Sequence, residues 1–338
     1  MSKEFSPNDI RPEEAEKKYL ELYKKELDSM LNPETGLVKE ELIMGRECPV
    51  CNADDYGTEF IKDGFTFVKC NKCQMLYVNP TLKNDELEKY YNCEAISFYE
   101  KNILLKTREI RNEKIFMPRV QLVEKYVSKG KILDVGCAIG NFLECVVRNP
   151  IWEAYGVEPN KFAADYAKEN VKAKIYDCML EETDFEDESF DVVTLWETVE
   201  HLQKPLELLE YCWRLIRKGG LFFISTPNVG GFEFKMIGKE HFNIGAPNHL
   251  NYFDTKTIKE VLNRTGFSDI SIITPGKLDV ENVRSLLKQG KGLEKAGEFL
   301  TEMLISDDLE NDLFRKNLQI FISENNLSGN MVAICKKV

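Results

Sequence analysis

The chain has 338 residues, 43% of them hydrophobic and 30% charged, which is typical of a folded globular protein large enough for more than one domain. Its 57 acidic and 45 basic residues give a net charge of −12, which disfavours an extended nucleic-acid surface, since that needs clustered Lys and Arg. Its apolar runs are too short for a membrane span and its N-terminus has no apolar signal segment, so we expect a cytoplasmic protein with reduced cysteines.

The first predicted element is an amphipathic helix within an N-terminal arm, residues 1–45. Apolar residues recur at helical intervals between positions 10 and 30, and Asn32-Pro33 ends the pattern. The arm is predicted to be a packing element, a dimer element or a partly mobile tail.

Four of the ten cysteines follow in residues 46–80, with the spacing of a zinc site. They form two C-x2-C pairs separated by eighteen residues, and the segment between them has the pattern of a β-hairpin with Asp63-Gly64 as its turn. Four thiolates leave no open coordination position, so the zinc would be structural. The alternative is four unconnected core cysteines. The predicted ligands are Cys48, Cys51, Cys70 and Cys73.

Residues 81–127 are predicted to form two or three helices. Tyr90, Tyr91, Phe98 and Tyr99 make the segment unusually aromatic. Such a segment is a candidate lid over a neighbouring pocket, and ordinary helix packing explains the aromatic residues equally well.

From residue 128 strands and helices alternate, which is typical of an α/β fold with a parallel sheet. The predicted strands are 131–135, 153–157, 173–176, 190–195, 220–225, 268–274 and 330–338. The predicted helices are 141–148, 161–169, 203–217 and 255–265. The core would comprise 128–275 together with 329–338. A helical insertion, 276–328, with helices near 279–288, 292–306 and 308–325, is predicted to support dimerisation or to cap a substrate site.

The first core strand leads into a turn that carries Gly136 and Gly140. Without a Cβ, these residues let the backbone come close to a ligand. Glu158 ends the second strand, where a carboxylate can accept hydrogen bonds from both hydroxyls of a ribose. Asp134 precedes the turn, and a carboxylate there repels a pyrophosphate but attracts a cationic cofactor. The pattern therefore favours a nucleoside cofactor that is not a dinucleotide.

The turn resembles motif I of the class I S-adenosylmethionine-dependent methyltransferases, D/E-x-G-x-G-x-G, with Ala138 in place of the middle glycine. Residues 48–275 resemble bacterial members that carry an N-terminal zinc ribbon and modify sugars, nucleotide-linked sugars and small metabolites. The resemblance implies a Rossmann-like seven-stranded sheet whose last strand returns antiparallel beside the sixth. It implies S-adenosylmethionine bound by Asp134, Gly136, Cys137, Ala138, Gly140, Phe142, Glu158, Asp177, Cys178 and Trp196.

Two of these residues have specific expected positions. Asp177 would accept a hydrogen bond from the adenine amino group, and its alternative role is to cap a helix. Trp196 would pack on the adenine side or near the methyl group.

Methyl transfer needs an acceptor held in line and, for a hydroxyl or carbon acid, a base, for which histidine is suited. The chain has three histidines, all after the fourth core strand. His249 lies in a stretch that resembles E-H-x-x-Y-F of the zinc-ribbon sugar methyltransferases, with Asn248 in place of the Glu, which implies an acid/base role; loop anchoring is the alternative. His201 is the second catalytic candidate, or lines the pocket. His241 lies in a loop, 230–245, that would close over substrate or simply connect two elements.

The resemblance therefore implies methyl transfer to a small polar acceptor, with a sugar or nucleotide-sugar favoured, no membrane partner and a homodimer left open. One alternative is methylation of RNA or protein with the ribbon as a recognition module, which the acidic charge disfavours. Another is a non-catalytic interaction protein that keeps the fold. An NAD-linked oxidoreductase is disfavoured by the spacing of the turn. The sequence does not choose between O-, N- and C-methylation.

Overall fold

The computed structural model describes residues 5–292, 294 and 297–338. Parts of two predicted segments, the start of the N-terminal arm and of the helix at 292–306, therefore lie outside the described residues. The strands are β1 (Ile43–Met44), β2 (Tyr56–Lys62), β3 (Phe65–Cys70), β4 (Leu76–Val78), β5 (Thr81–Leu82), β6 (Gly130–Val135), β7 (Trp152–Val157), β8 (Lys174–Tyr176), β9 (Phe190–Trp196), β10 (Ile216–Pro227), β11 (Asn251–Tyr252), β12 (Ser268–Ile273) and β13 (Asn330–Lys336).

The described residues form fourteen α-helices. The helices are α1 (Pro7–Ile10), α2 (Glu13–Met30), α3 (Asn84–Tyr91), α4 (Glu94–Tyr99), α5 (Arg108–Arg111), α6 (Met117–Glu124), α7 (Asn141–Val146), α8 (Lys161–Asn170), α9 (Pro205–Leu215), α10 (Phe232–Ile237), α11 (Thr255–Arg264), α12 (Asp279–Lys288), α13 (Glu298–Ile305) and α14 (Leu309–Glu324). Two π-helical turns, Glu100–Leu104 and Asn112–Phe116, lie between α4 and α6.

A seven-stranded sheet forms the core in the order β12-β13-β10-β9-β6-β7-β8. The pairs that join β6 to β7 and β9, β7 to β8, and β9 to β10 are parallel. The last strand, β13, is antiparallel to both β10 and β12. Central strands are apolar on both faces because helices cover both sides of the sheet. The predicted seven-stranded α/β fold with a returning final strand is confirmed.

The predicted boundaries of one helix and one strand, α9 and β10, were wrong at both ends. Helix α9 is shorter than predicted because Pro205 occupies its first turn and the chain passes into β10 at Ile216. Strand β10 is longer than predicted and has a register shift between Ile216 and Leu221. Gly220 lies in that shift, where a Cβ would come within 2.9 Å of the Asp191 carbonyl oxygen.

The predicted hairpin is β2–β3, and its turn residues Asp63 and Gly64 both have positive φ, as a tight hairpin turn requires. It belongs to a four-stranded sheet in the order β11-β4-β3-β2. The edge strand β11 comes from far along the chain, directly after His249. Val68, Met75 and Tyr77 of this unit belong to the same apolar cluster as the core residues Leu133 and Val193. The ribbon therefore packs directly on the main sheet.

The N-terminal arm packs along the ribbon. Leu27 and Met30 of α2 are buried in a cluster with Phe67 and Tyr252, and the Tyr23 hydroxyl donates to the Ala246 carbonyl at 2.9 Å. Residues 13–30 are therefore a packing element. No described helix is long and apolar enough to cross a membrane.

The region before the sheet is more broken than predicted, because π-helical turns interrupt the path from α4 to α6. The segment 230–245 is not a plain loop, since it contains α10 and a 3₁₀ turn, Gly238–Glu240. The insertion helices α12, α13 and α14 pack with α10 in one apolar cluster. The insertion therefore supports the segment that carries His241.

Candidate active site

The turn after β6 has the backbone conformation that its glycines predict. Gly136 and Gly140 have φ of 71° and 80°, and a Cβ at either would lie 2.8 Å from a neighbouring side chain. Ala138 also lies in the left-handed region, with φ 47°. Its N–H donates to Glu158 Oε2 at 2.8 Å, and this bond helps to offset the roughly 1 kcal/mol cost of that conformation for a residue with a Cβ.

Glu158 is held rigidly at the end of β7. It is 9% exposed and accepts two backbone hydrogen bonds, from the N–H groups of Ala138 and Asn160, both at 2.8 Å. Burial raises the pKa of the carboxyl group, and the two backbone bonds oppose the rise. Each carboxylate oxygen keeps a second lone pair, so the group can still accept two hydroxyl hydrogens.

Asp134 is 2% exposed and accepts a hydrogen bond from the Thr194 hydroxyl at 2.7 Å. Burial raises the pKa of this carboxyl to about 7. Cys137 and Phe142 are buried in the apolar core beneath the turn. Their side chains are therefore part of the core packing.

Trp196 ends β9 with its ring 5.3 Å from that of Phe142, between centroids. Its indole Nε1 is buried without a hydrogen-bond partner. Arg119 lies over the indole, with the guanidinium carbon 4.8 Å from the ring centroid. The same guanidinium donates to Glu197 Oε1 at 2.8 Å.

Asp177 and Cys178 follow β8, the edge strand beside β7. The Glu158 N–H after β7 donates to the Tyr176 carbonyl at 3.0 Å, so Asp177 and Glu158 follow neighbouring strands at the same end of the sheet. The Asp177 carboxylate is exposed and pairs with Lys168 Nζ at 2.6 Å, and that hydrogen bond lowers the pKa of the carboxyl. The next short helical turn begins with Met179 as its cap. The alternative of Asp177 as a helix cap is therefore wrong.

The segment 94–124 contacts α7 and α8. Arg108 pairs with Glu144 at 2.6 Å and donates to the Tyr166 hydroxyl at 3.0 Å, which fixes the segment to α7 and α8. Glu100 lies close enough to Glu158 for their charges to interact, and burial together with that repulsion raises the pKa of Glu100 to about 7. The segment 94–124 thus places the carboxyl group of Glu100 near that of Glu158.

The raised pKa of Glu100 beside Glu158 predicts that the free energy of unfolding depends on pH. Because the folded pKa of Glu100 is above its unfolded value, the ionised form is penalised in the fold. The penalty is absent below about pH 4.5, grows as the pH rises towards 7 and is constant above it. Glu100→Gln should therefore melt at a higher temperature than the wild type at pH 8, with the difference vanishing near pH 4.5. The exposed control Glu109→Gln should show no such trend, and a pH-independent difference for Glu100→Gln would contradict the assignment.

A second cluster follows β9, opposite the turn. His201 lies in the 3₁₀ turn Val199–His201, and the imidazoles of His201 and His249 meet edge to face with 4.8 Å between centroids. The Nδ1 atoms contact carbonyl oxygens of Asn248 and Asn243, at 2.6 and 2.9 Å respectively. Since a carbonyl only accepts, both Nδ1 atoms carry hydrogen, and in the neutral rings the lone pair lies on Nε2.

Glu200 completes this cluster. It is 1% exposed, accepts from the Thr226 hydroxyl at 3.0 Å through Oε2, and places Oε1 3.9 Å from His201 Nε2. Burial raises the pKa of Glu200 well above its ordinary value, and the charge of Glu197 adds to the rise. Burial lowers the pKa of His201, and it lowers that of His249 to about 3 with a further contribution from His201, so both rings are neutral at neutral pH.

His241 is separate from this pair. It is buried, and its Nε2 lies 2.6 Å from Glu233 Oε2. Asn282 also donates to the Glu233 carboxylate, which ties α10 to α12. The structure thus brings together two of the three predicted histidines, and gives His241 a partner of its own.

Sequence reasoning missed Arg119, Glu197 and Glu200. The two glutamates had a visible signal, because Glu197, Glu200 and His201 stand at i, i+3 and i+4 directly after the fourth core strand, where ligands bind in such sheets. Arg119 had none, since it comes from a helix before the sheet. Glu197 also accepts from Ser225 and Asn330 on β10 and β13.

The four ribbon cysteines converge as predicted. The Sγ atoms of Cys48 and Cys73 are 3.4 Å apart, those of Cys51 and Cys70 are 3.5 Å apart, and all four lie within 4.8 Å of one another. Tetrahedral zinc with bonds of about 2.3 Å needs sulfurs about 3.8 Å apart. The four thiols therefore fit a closed zinc site.

A family model described as a methyltransferase domain matches residues 107–272. An uncharacterised protein of Methanocaldococcus jannaschii is 24% identical over 54% of this chain and 86% of its own length. A ubiquinone biosynthesis O-methyltransferase of Actinobacillus pleuropneumoniae is 31% identical over 41% of this chain; the match covers 65% of that enzyme, under two thirds.

Among solved structures, the chain is similar in fold to phosphoethanolamine N-methyltransferase 2 of Haemonchus contortus in complex with S-adenosyl-L-methionine. The TM-score is 0.50 at 19% identity, over 78% of this chain and 62% of the other.

Proposed function

We propose that this chain, whose residues 107–272 match a methyltransferase domain, is a class I S-adenosylmethionine-dependent methyltransferase that methylates an oxygen of a small polar acceptor, with a sugar or nucleotide-linked sugar favoured. The observation that carries the proposal is the convergence of Glu200, His201 and His249 at the same end of the sheet as the glycine turn. The proposal also includes a structural zinc ion held by the four ribbon cysteines.

The cofactor pocket would be formed by the turn and the strand ends beside it. The backbone of Gly136, Ala138 and Gly140 would contact the cofactor, and Glu158 would bind the ribose through its remaining lone pairs. Asp177 would accept from the adenine amino group, with Cys178 beside it. The negative charge of Asp134 would favour the cationic methionyl part, and Trp196 would border it. When bound, the cofactor supplies a methyl group on a sulfonium whose sulfur takes the electron pair of the broken bond.

The residues of the chain would position the acceptor and remove its proton. His249 Nε2 would accept the hydroxyl proton while the acceptor oxygen bonds to the methyl carbon, and His201 Nε2 would accept a hydrogen bond from a neighbouring hydroxyl. Tyr91 has a buried hydroxyl without a partner, close enough to Glu200 for their charges to interact, and would donate to the acceptor. The products are a methyl ether, S-adenosylhomocysteine and a proton.

Two observations support oxygen as the methylated atom. Neutral imidazoles with free lone pairs are suited to accept hydroxyl hydrogens, and the curated relative at 31% identity is an O-methyltransferase by name. The sugar class is supported by the likeness to zinc-ribbon sugar methyltransferases around His249.

The test measures S-adenosylhomocysteine formed on incubation with pools of nucleotide-sugars, free sugars and RNA. The proposal expects turnover with a sugar pool, and His249→Ala should lose that turnover at least 100-fold while cofactor affinity measured by calorimetry is retained. Turnover with RNA alone, or normal turnover in His249→Ala, would overturn it.

A further inference from the structure

We propose that Glu200, His201 and His249 form a second metal site, separate from the ribbon, which binds one divalent transition-metal ion through two imidazoles and one carboxylate. One ligand atom from each residue lies within 4.8 Å of the others. Metal–nitrogen and metal–oxygen bonds of about 2.1 Å place neighbouring tetrahedral ligands about 3.4 Å apart. Each atom must therefore move by less than about 1 Å, which rotation of the two rings can supply.

The hydrogen bonds at the back of each ring prepare it for a metal. A metal-binding histidine typically donates its other ring N–H to a carbonyl or carboxylate, which fixes the tautomer and the ring orientation. His201 donates from Nδ1 to Asn248, and His249 donates from Nδ1 to Asn243. Each Nε2 atom therefore carries a lone pair that can bind a metal without loss of a proton from the ring.

The third ligand is a buried carboxylate that lacks a cationic partner among the described residues around it. The side-chain donor to Glu200 is a neutral hydroxyl, that of Thr226, and the neighbouring imidazoles carry no charge. The nearby cation, Arg119, is paired with Glu197. A bound ion would supply the compensating charge that a buried carboxylate needs.

An ion held by these three residues would keep coordination positions for ligands from the acceptor. Two histidines and one carboxylate on one side of an ion leave positions open, as in catalytic metal sites. The buried Tyr91 hydroxyl, which has no hydrogen-bond partner among the described residues, lies close enough to Glu200 for their charges to interact and would donate to an oxygen bound there. Nitrogen and oxygen ligands select ions such as Zn²⁺, Fe²⁺, Mn²⁺ or Co²⁺.

The ion would act on the proposed reaction by binding the acceptor oxygen and making its hydroxyl more acidic. That consequence rests on the proposed function, whereas metal binding itself does not. An acceptor with two adjacent oxygens, such as a vicinal diol of a sugar, would suit two open positions. In this arrangement the hydroxyl proton passes to solvent, since both Nε2 atoms are ligands.

The experiment titrates Co²⁺ into protein whose ribbon is loaded with zinc, without cofactor or acceptor. Absorption spectra and released zinc are recorded together. We expect one Co²⁺ per chain, without thiolate charge-transfer bands and without release of zinc. Glu200→Gln should bind Co²⁺ at least tenfold more weakly while keeping its ribbon zinc and its circular dichroism, and His249→Ala should behave likewise.

The matched control is His241→Gln, which alters the buried histidine outside the proposed site and should bind Co²⁺ like the wild type. The proposal is overturned if Co²⁺ binds only as zinc is released, if no second ion binds, or if Glu200→Gln binds as tightly as the wild type. Because the readout contains no methyl transfer, these outcomes do not depend on the identity of the acceptor.

Discussion

Glu158→Ala is expected to weaken S-adenosylmethionine binding by roughly 1–3 kcal/mol, which corresponds to about 5- to 150-fold in Kd. The carboxylate is buried and fixed by the N–H groups of Ala138 and Asn160, so its free lone pairs are already aimed before a ribose arrives. Removal of the side chain leaves the ribose hydroxyls without acceptors, and it also frees the turn at Ala138. Calorimetric titration with S-adenosylmethionine measures the effect.

The matched control for this variant is Glu169→Ala on α8, whose side chain is exposed, and it should leave the affinity unchanged. A melting curve separates a binding defect from unfolding, because Glu158→Ala also loses two backbone hydrogen bonds. Unchanged affinity in a folded Glu158→Ala protein would show that the ribose lies elsewhere.

The second large effect is expected from Cys51→Ser, which removes one of the four converging thiols. Zinc contributes on the order of 10 kcal/mol to the folding of small zinc modules, comparable to the whole net stability of a domain. We therefore expect loss of the zinc ion and loss of hydrogen-exchange protection in the ribbon strands β2, β3 and β4. The position of His249 in the proposed acceptor site should also change, because β11 pairs with β4 and begins two residues after His249.

Arg46 strengthens that connection between ribbon and active site. Its buried guanidinium donates to the carbonyls of Val78, Gln203 and Leu250, and so joins the ribbon to both segments that carry the histidine pair. Cys51→Ser should therefore reduce turnover far more than cofactor affinity. The control Cys93→Ser changes a cysteine outside the cluster and should keep the zinc and the turnover. Full zinc content, or normal protection, in Cys51→Ser would refute the structural role.

Much of the fold could be predicted because its signals are local. The parallel strands follow from apolar runs bounded by turns, and the ribbon hairpin follows from Asp63-Gly64 between two cysteine pairs. The positions of Gly136, Gly140 and Glu158 follow from the spacing of one motif, and the structure places them against one another. Their roles in binding the cofactor stay predictions.

The features that the sequence did not predict depend on contacts between segments that are distant along the chain. No local pattern indicates that β11 joins the ribbon sheet, or that Arg119 lies over Trp196. The pairing of His201 with His249 arises because a turn after β9 and a loop held by the ribbon meet. Ala138 is explained only by the structure, in which its N–H bonds to Glu158 from a left-handed backbone conformation.

The central claim is that one cofactor, bound on the turn, presents its methyl group to the histidine pair. A crystal structure with S-adenosylhomocysteine tests this most directly. We expect the ribose hydroxyls within hydrogen-bond distance of Glu158. We expect the sulfur to be directed towards the space beside Glu200, His201 and His249. A ligand bound away from Gly136 and Gly140, or a sulfur directed away from the two histidines, would contradict it.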